Sequence, residues 1–265
     1  MDKLSIADVR HDGEIWSRIL LLLASATLLI FLLLSVVGAI WLAVFLVIEA
    51  FLHRLTMAFF RANSVQVSEE QYPDLYRLVV LYSAKLGLKE VPEVYIIQQT
   101  ILNAFATRVA RRNVIVLYSH TVETMLEENS QDALGMVLAH EIGHFAAGHL
   151  RWAPFLTGGS IILPPLYLYW TRSCEYTADR LAYLCVENRE SAFAGLLKMT
   201  VGKRLAPATN EQAFRGQYER VQRDWLVKLS QFWATHPHLI NRYFSLKAFA
   251  GRSAAVGSTV RRAGE

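Results

Sequence analysis

Thirty consecutive residues, Ile19–Ile48, carry no charged side chain, and they lie between Arg18 and Glu49. Buried in water-soluble form, so long a run would need a large core of its own, so it reads as membrane material. Its length is awkward. As one helix it would measure about 45 Å against a hydrocarbon core of about 30 Å, and it is too short for two full spans. One long tilted helix that runs past the membrane fits, and so does a tight hairpin bent near Ser35–Gly38. The run greatly exceeds the 7–15-residue apolar stretch of a signal peptide, and no clear small-residue cleavage site follows, so the expectation is an anchor that stays. Lys3, Arg10 and Arg18 precede the run while Arg54 and Arg61 follow it, which leaves orientation undetermined by charge.

The chain of 265 residues has a net charge of +4, with basic residues dispersed in short pairs such as Arg111-Arg112 and Arg261-Arg262. That pattern gives no nucleic-acid footprint. A mildly basic face suits the surface of a lipid bilayer instead. Two cysteines eleven apart, Cys174 and Cys185, lack CxxC spacing and read as small buried hydrophobes rather than a disulfide framework.

Chemistry is concentrated in His140-Glu141-Ile142-Gly143-His144. The surrounding Gln131–Arg151 reads as one mostly apolar helix, capped by Asn129 or Ser130. Positions four apart on a helix lie about 40° apart around the axis, so His140 and His144 aim at one point. Two neutral imidazoles are good zinc ligands, and Glu141 stands where it can act on water held there. The plainer alternative is an amphipathic helix with scattered polar residues. It would bury two histidines and a carboxylate with nothing obvious to satisfy them.

A catalytic zinc site takes three protein ligands and keeps one position open. On a continuous helix His149 would lie about 140° around from His144 and about 180° from His140, so it reads as a helix-end residue favoured by the C-terminal dipole. Glu175 is the better candidate, with Asp179 four residues on sharing its face and placed to hold a ligand imidazole. Both acids are also what a solvated helix start would carry.

The remaining segments predict a mainly α fold with a small β-hairpin or sheet. Gln71–Lys85 has helical spacing and stops at Gly87. Val94–Gln98 and Val114–Tyr118 read as strands able to pair as a β-hairpin, with Asn103–Thr107 as a polar-start segment and Arg108–Asn113 as a basic turn. Thr121–Glu128, Glu175–Val186, Ser191–Val201, Gln217–Phe232 and Leu239–Phe249 read as helices, and Lys203–Arg215 as a loop. The domain layout is a flank at 1–18, an anchor at 19–52, a globular domain at 65–250 and a polar tail at 251–265 whose composition allows disorder.

With HExxH followed by Glu175-Tyr176-Thr177-Ala178-Asp179, the chain resembles the HtpX-like and CAAX-prenyl-endopeptidase-like membrane zinc metallopeptidases, the gluzincins. Asn103-Ala104-Phe105-Ala106 upstream, and Thr235-His236-Pro237 with Arg242 downstream, add to the resemblance, which spans residues 103–242. It implies a zincin-like domain behind an N-terminal transmembrane helix or hairpin, with one zinc ion on His140, His144 and Glu175 and Glu141 as catalytic base. It further implies substrate or oxyanion contacts near Asn103, Ala104 and Phe105, and supporting roles for Asp179, His236 and Arg242. His236 also reads simply as a loop histidine before a proline. The expected partners are protein substrates, membrane proteins above all, and the lipid bilayer. The expected place is an inner or plasma membrane, with the catalytic domain facing the cytoplasm. A zinc-bound but inactive relative that binds membrane clients is the rival reading.

Many relatives insert further spans between HExxH and the third ligand, whereas here only Phe145–Cys174 separates them. Trp152–Thr171 is uncharged but broken by Pro154, Gly158, Gly159, Pro164 and Pro165. A single crossing would carry Glu175 to the far side from His140, and zinc–ligand distances near about 2 Å exclude that. The run must return as a re-entrant hairpin, an interfacial segment or a buried loop.

Overall fold

A computed structural model describes residues 5–109, 112–126 and 131–263. The expected cap residues Asn129 and Ser130, the middle of the basic turn at Arg111, and Lys3 lie outside the described residues.

The uncharged run is a helical hairpin. After a short α1 (Ile6–Val9), α2 (Asp12–Leu33) and α3 (Val36–Asn63) extend well beyond both ends of the run. At about 1.5 Å per residue they measure roughly 33 and 42 Å, and both are long and apolar enough to cross a membrane. The turn has a local cause. Ser35 is extended and its hydroxyl accepts the Gly38 amide at 2.9 Å, capping α3. A Cβ on Gly38 would come within 2.4 Å of the Leu32 carbonyl oxygen, so a bulkier residue cannot pass this corner. Leu34 and Val36 at the tip are about 80% exposed, at 81% and 78%. Among its described residues α3 buries only Met57.

Beyond the hairpin come β1 (Ser64–Gln66), α4 (Pro73–Lys85), β2 (Glu93–Ile97), β3 (Ala104–Val109), β4 (Arg112–Tyr118), α5 (Ser119–Leu126) and α6 (Gln131–Ala146). The strands form one sheet in the order β1-β2-β4-β3. The two anticipated strands do pair, but in parallel, from Glu93 opposite Val114 to Ile97 opposite Tyr118. The hairpin is β3–β4, and β3 is the segment that read as a polar start. Alternation marks a strand without naming its partner, and a parallel pair needs a crossover, which β3 provides here. Val114, Ile115, Val116 and Leu117 of the central β4 are fully buried. Ile115 and Leu117 face the main core, which includes α4 and α6, whereas Val114 and Val116 face Met57 and Phe60 at the end of α3.

The rest is helical: α7 (His149–Ile162), α8 (Pro164–Cys185), α9 (Arg189–Val201), a 3-10 turn (Ala206–Ala208), α10 (Glu211–Arg223), α11 (Trp225–Phe232) and α12 (Leu239–Ala263). Trp152–Thr171 is thus divided between two helices that meet at Leu163, with Pro164 opening the second, a position where proline costs no hydrogen bond. Leu21 of α2, Leu156 of α7 and Trp170 and Cys174 of α8 close a small core between them. The helix expected over Gln217–Phe232 is split at Asp224, whose carboxylate accepts the Leu226 amide at 2.8 Å and caps α11. The backbone of α12 continues past Phe249 to Ala263.

Candidate metal centre

Helix α6 is buried on nearly every side, with Leu134, Leu138 and Ile142 fully enclosed. It presents His140 and His144 as a crossed pair, ring planes at 81° and Nε2 atoms 3.2 Å apart. The return of α8 brings Glu175 to both. Its Oε2 lies 3.5 Å from His140 Nε2 and its Oε1 3.4 Å from His144 Nε2. Three donor atoms, one from each residue, lie within 4.8 Å of one another.

Asp179, one turn along α8, fixes the tautomer of His140. Its Oδ1 stands 2.9 Å from His140 Nδ1, and a carboxylate only accepts, so Nδ1 carries a proton and Nε2 is the nitrogen left to bind a metal when the imidazole is neutral. Arg242 of α12 holds Asp179 with two bonds, Nε to Oδ2 at 2.8 Å and Nη2 to Oδ1 at 2.6 Å. Its Nη1 reaches within 3.4 Å of Glu175 Oε2. Burial alone would push the His140 imidazole down, but hydrogen bonds to Asp179 and Glu175 carry it up to about 10. Burial would raise the Glu175 carboxyl, yet His140, His144 and Arg242 hold it well below the usual range. Two imidazole nitrogens and a carboxylate crowd one point that favours positive charge. A divalent cation with nitrogen and oxygen ligands fits that donor set.

All ten candidate residues line one cavity of about 240 Å³: Asn103, Ala104, Phe105, His140, Glu141, His144, Glu175, Asp179, His236 and Arg242. Glu141 is 7% exposed, at the cavity wall beside the cluster. His236 sits at the rim with its side chain 68% exposed and Nε2 3.7 Å from Glu175 Oε1. Asn103 leads into β3, the strand at the sheet's edge. Its backbone is pinned by Thr121, whose hydroxyl accepts the Asn103 amide at 2.7 Å and donates to its carbonyl at 2.8 Å.

One expectation is corrected. His149 does not continue the helix of His144: α6 stops at Ala146, Gly148 takes a φ of +78°, and α7 restarts at His149. Glycine adopts that left-handed conformation without strain. The break folds the His149 ring back onto His144, Nδ1 to Nδ1 at 2.8 Å. Helical angles point His149 away from His144 only if they are carried across Gly148. A glycine four residues beyond His144 was the signal available.

The model of peptidase family M48 matches residues 69–162 and 151–250, which contain the whole cavity. The chain is 30% identical over 171 residues to the plastoglobule-localized metallopeptidase 48 of Arabidopsis thaliana, covering 58% of this chain and 48% of that protein. It therefore spans about half the length of that relative. It is 25% identical to a protease HtpX homolog of Syntrophobacter fumaroxidans over 75% of this chain and 83% of that one. For a protease HtpX homolog of Pyrococcus furiosus the identity is 26%, over 71% and 77% of the two chains. No solved structure gives a significant match. With the matched span running from just after β1 to the middle of α12 and enclosing both His140-Glu141-Ile142-Gly143-His144 and Glu175, this chain belongs to peptidase family M48.

Proposed function

We propose that the protein is a membrane-tethered, zinc-dependent endopeptidase that cuts proteins at or near the bilayer. The observation that carries this reading is the meeting of His140, His144 and Glu175 at the floor of a cleft walled by an edge strand. His140, His144 and Glu175 would hold one zinc ion, which when bound would supply Lewis acidity toward a peptide carbonyl and toward water.

The chain's own groups do the rest. Glu141 takes the proton of the attacking water and returns it to the leaving amine. Asp179, clamped by Arg242, keeps the His140 lone pair pointed into the cluster. An extended substrate pairs with the free edge of β3 at Ala104 and Phe105, adding a strand to the sheet. His236, at the rim near Glu175, is placed to donate to the oxyanion that forms.

The hairpin supports a site at the membrane surface. With α2 and α3 spanning, Arg10 and Arg18 fall on the same side as Arg54 and Arg61, so the two flanks add rather than oppose. That favours a cytoplasmic domain. The α7–α8 pair, packed along α2 and exposing Phe155 and Ile161, serves as the re-entrant segment.

The test is proteolysis of a membrane-protein substrate in detergent. Wild type should cleave, Glu141→Gln should fall by several orders of magnitude while retaining zinc, and a chelator should stop wild type until zinc is restored. Cleavage by Glu141→Gln would remove the proposed base. Zinc bound by wild type with no cleavage of any substrate would favour the inactive, client-binding reading.

A further inference from the structure

The segment before the first membrane helix docks against the back of the metal centre. Arg180 of α8 donates to the Val9 and Arg10 carbonyls, both at 3.1 Å. Arg10 Nη2 donates to the Ala147 carbonyl at 2.6 Å, just past the end of α6. The His11 amide donates to Thr177 Oγ1 at 2.9 Å. In the first turn of α2, Glu14 is fully enclosed, paired with Arg10 and accepting the Thr177 hydroxyl at 2.8 Å. The same Oε2 that accepts from Thr177 lies 3.4 Å from His149 Nε2, a buried nitrogen with no hydrogen bond to any other group.

We propose that Glu14 and His149 are positioning residues for the metal ligand His144, so that the membrane anchor itself contributes to the metal centre. This rests on the metallopeptidase reading above. The proton order follows from the partners. A carboxylate only accepts, so His149 Nε2 carries its proton toward Glu14. A neutral His149 then has a lone pair on Nδ1, which accepts from His144 Nδ1 at 2.8 Å. His144 is left with its lone pair on Nε2, the atom that faces His140 and Glu175. No proton moves. Each contact fixes the tautomer of the next, as outer carboxylates do for metal-bound imidazoles elsewhere.

A competing use of the same atoms exists: Glu14, His149 and Cys174 also place three donor atoms within 4.8 Å. Arg10 already neutralises Glu14 there, which disfavours a second cation.

The full chain in detergent is titrated with zinc against a competing chelator. Wild type should bind one zinc. Glu14→Gln and His149→Leu should each weaken binding by about 10–100-fold, Glu14→Asp should recover part of the loss, and Cys174→Ser should change nothing. The decisive arm is the double variant. If Glu14 acts through His149, Glu14→Gln adds nothing once His149 is leucine. A loss that persists in that background, or unchanged affinity in both single variants, overturns the proposal while leaving the metallopeptidase reading intact. Two zinc ions in wild type, one lost with Cys174→Ser, overturns it in favour of a second site. Wild type that binds no zinc overturns both readings. Should Glu14→Gln fail to fold, Thr177→Val removes a single bond to the same carboxylate and should weaken zinc a few-fold.

Discussion

Two carboxylate–arginine pairs stand behind the candidate metal centre, and they are built differently. Behind His140, Asp179 and Arg242 come from α8 and α12 and touch the imidazole directly. Behind His144, Glu14 and Arg10 come from one turn of chain at the start of α2, with His149 in between. The first pair belongs to the globular domain and is enclosed on both members. The second comes from the start of the apolar helical hairpin and the residues just before it, and its arginine keeps 17% of its side chain in solvent. Burying a carboxylate needs a partner wherever it happens. What differs is which part of the chain must be in place before the partner arrives.

That comparison orders the expected losses. Arg242→Leu leaves Asp179 and Glu175 enclosed beside each other without their shared cation. It should cost about 3–5 kcal/mol of unfolding free energy in the metal-free protein, measured in detergent. Arg10→Leu should cost less, roughly 1–3 kcal/mol, because Glu14 keeps the Thr177 hydroxyl and Arg10 was already partly hydrated. Equal losses would break the distinction drawn here.

A third cluster sets the floor. On the sheet's outer side Glu93 meets Arg112 at 2.8 Å and Arg61 at 3.3 Å, and accepts from Tyr95 at 2.8 Å. Burial would raise its carboxyl, but Arg112, Tyr95 and Arg61 hold it below its ordinary value. A carboxyl lowered by folding adds stability above its unfolded pKa and loses it as pH falls through the folded one. Glu93→Gln should therefore cost about 1 kcal/mol or less at neutral pH. The difference from wild type should shrink as pH falls below the ordinary glutamate range and vanish once the folded-state carboxyl is itself protonated.

The parts of the site that were legible are those within one helix. His140 and His144 are four apart, and any α-helix over them makes the pair. Glu175 needed the resemblance, because a glutamate at the start of an apolar helix also reads as a dipole partner. Glu14 was invisible: it lies 135 positions from His149, and a lone acid ahead of an apolar run reads as a solvated helix start. The fold divides the same way. Helical spacing located α4 and α9, and short apolar β-branched runs located the two strands of the parallel pair, since each pattern is local. The partner of each strand, the break at Gly148 and the split at Asp224 depend on contacts or caps that periodicity does not encode.

The close contact between α7 and α2 has a mechanical side. A Cβ on Gly159 would come within 2.4 Å of the Leu21 carbonyl oxygen, and one on Gly158 within 3.1 Å of the Ser25 backbone. At this joint the α7 backbone lies almost on the α2 backbone, and the Ser25 hydroxyl accepts the Gly159 amide at 2.6 Å. A spanning helix answers a bilayer thinner or thicker than its apolar length by tilting. With this joint α2 cannot lean without taking α7 along, and the far end of α7 is His149. A tilt of α2 would thus be felt at the His149 ring that rests against His144.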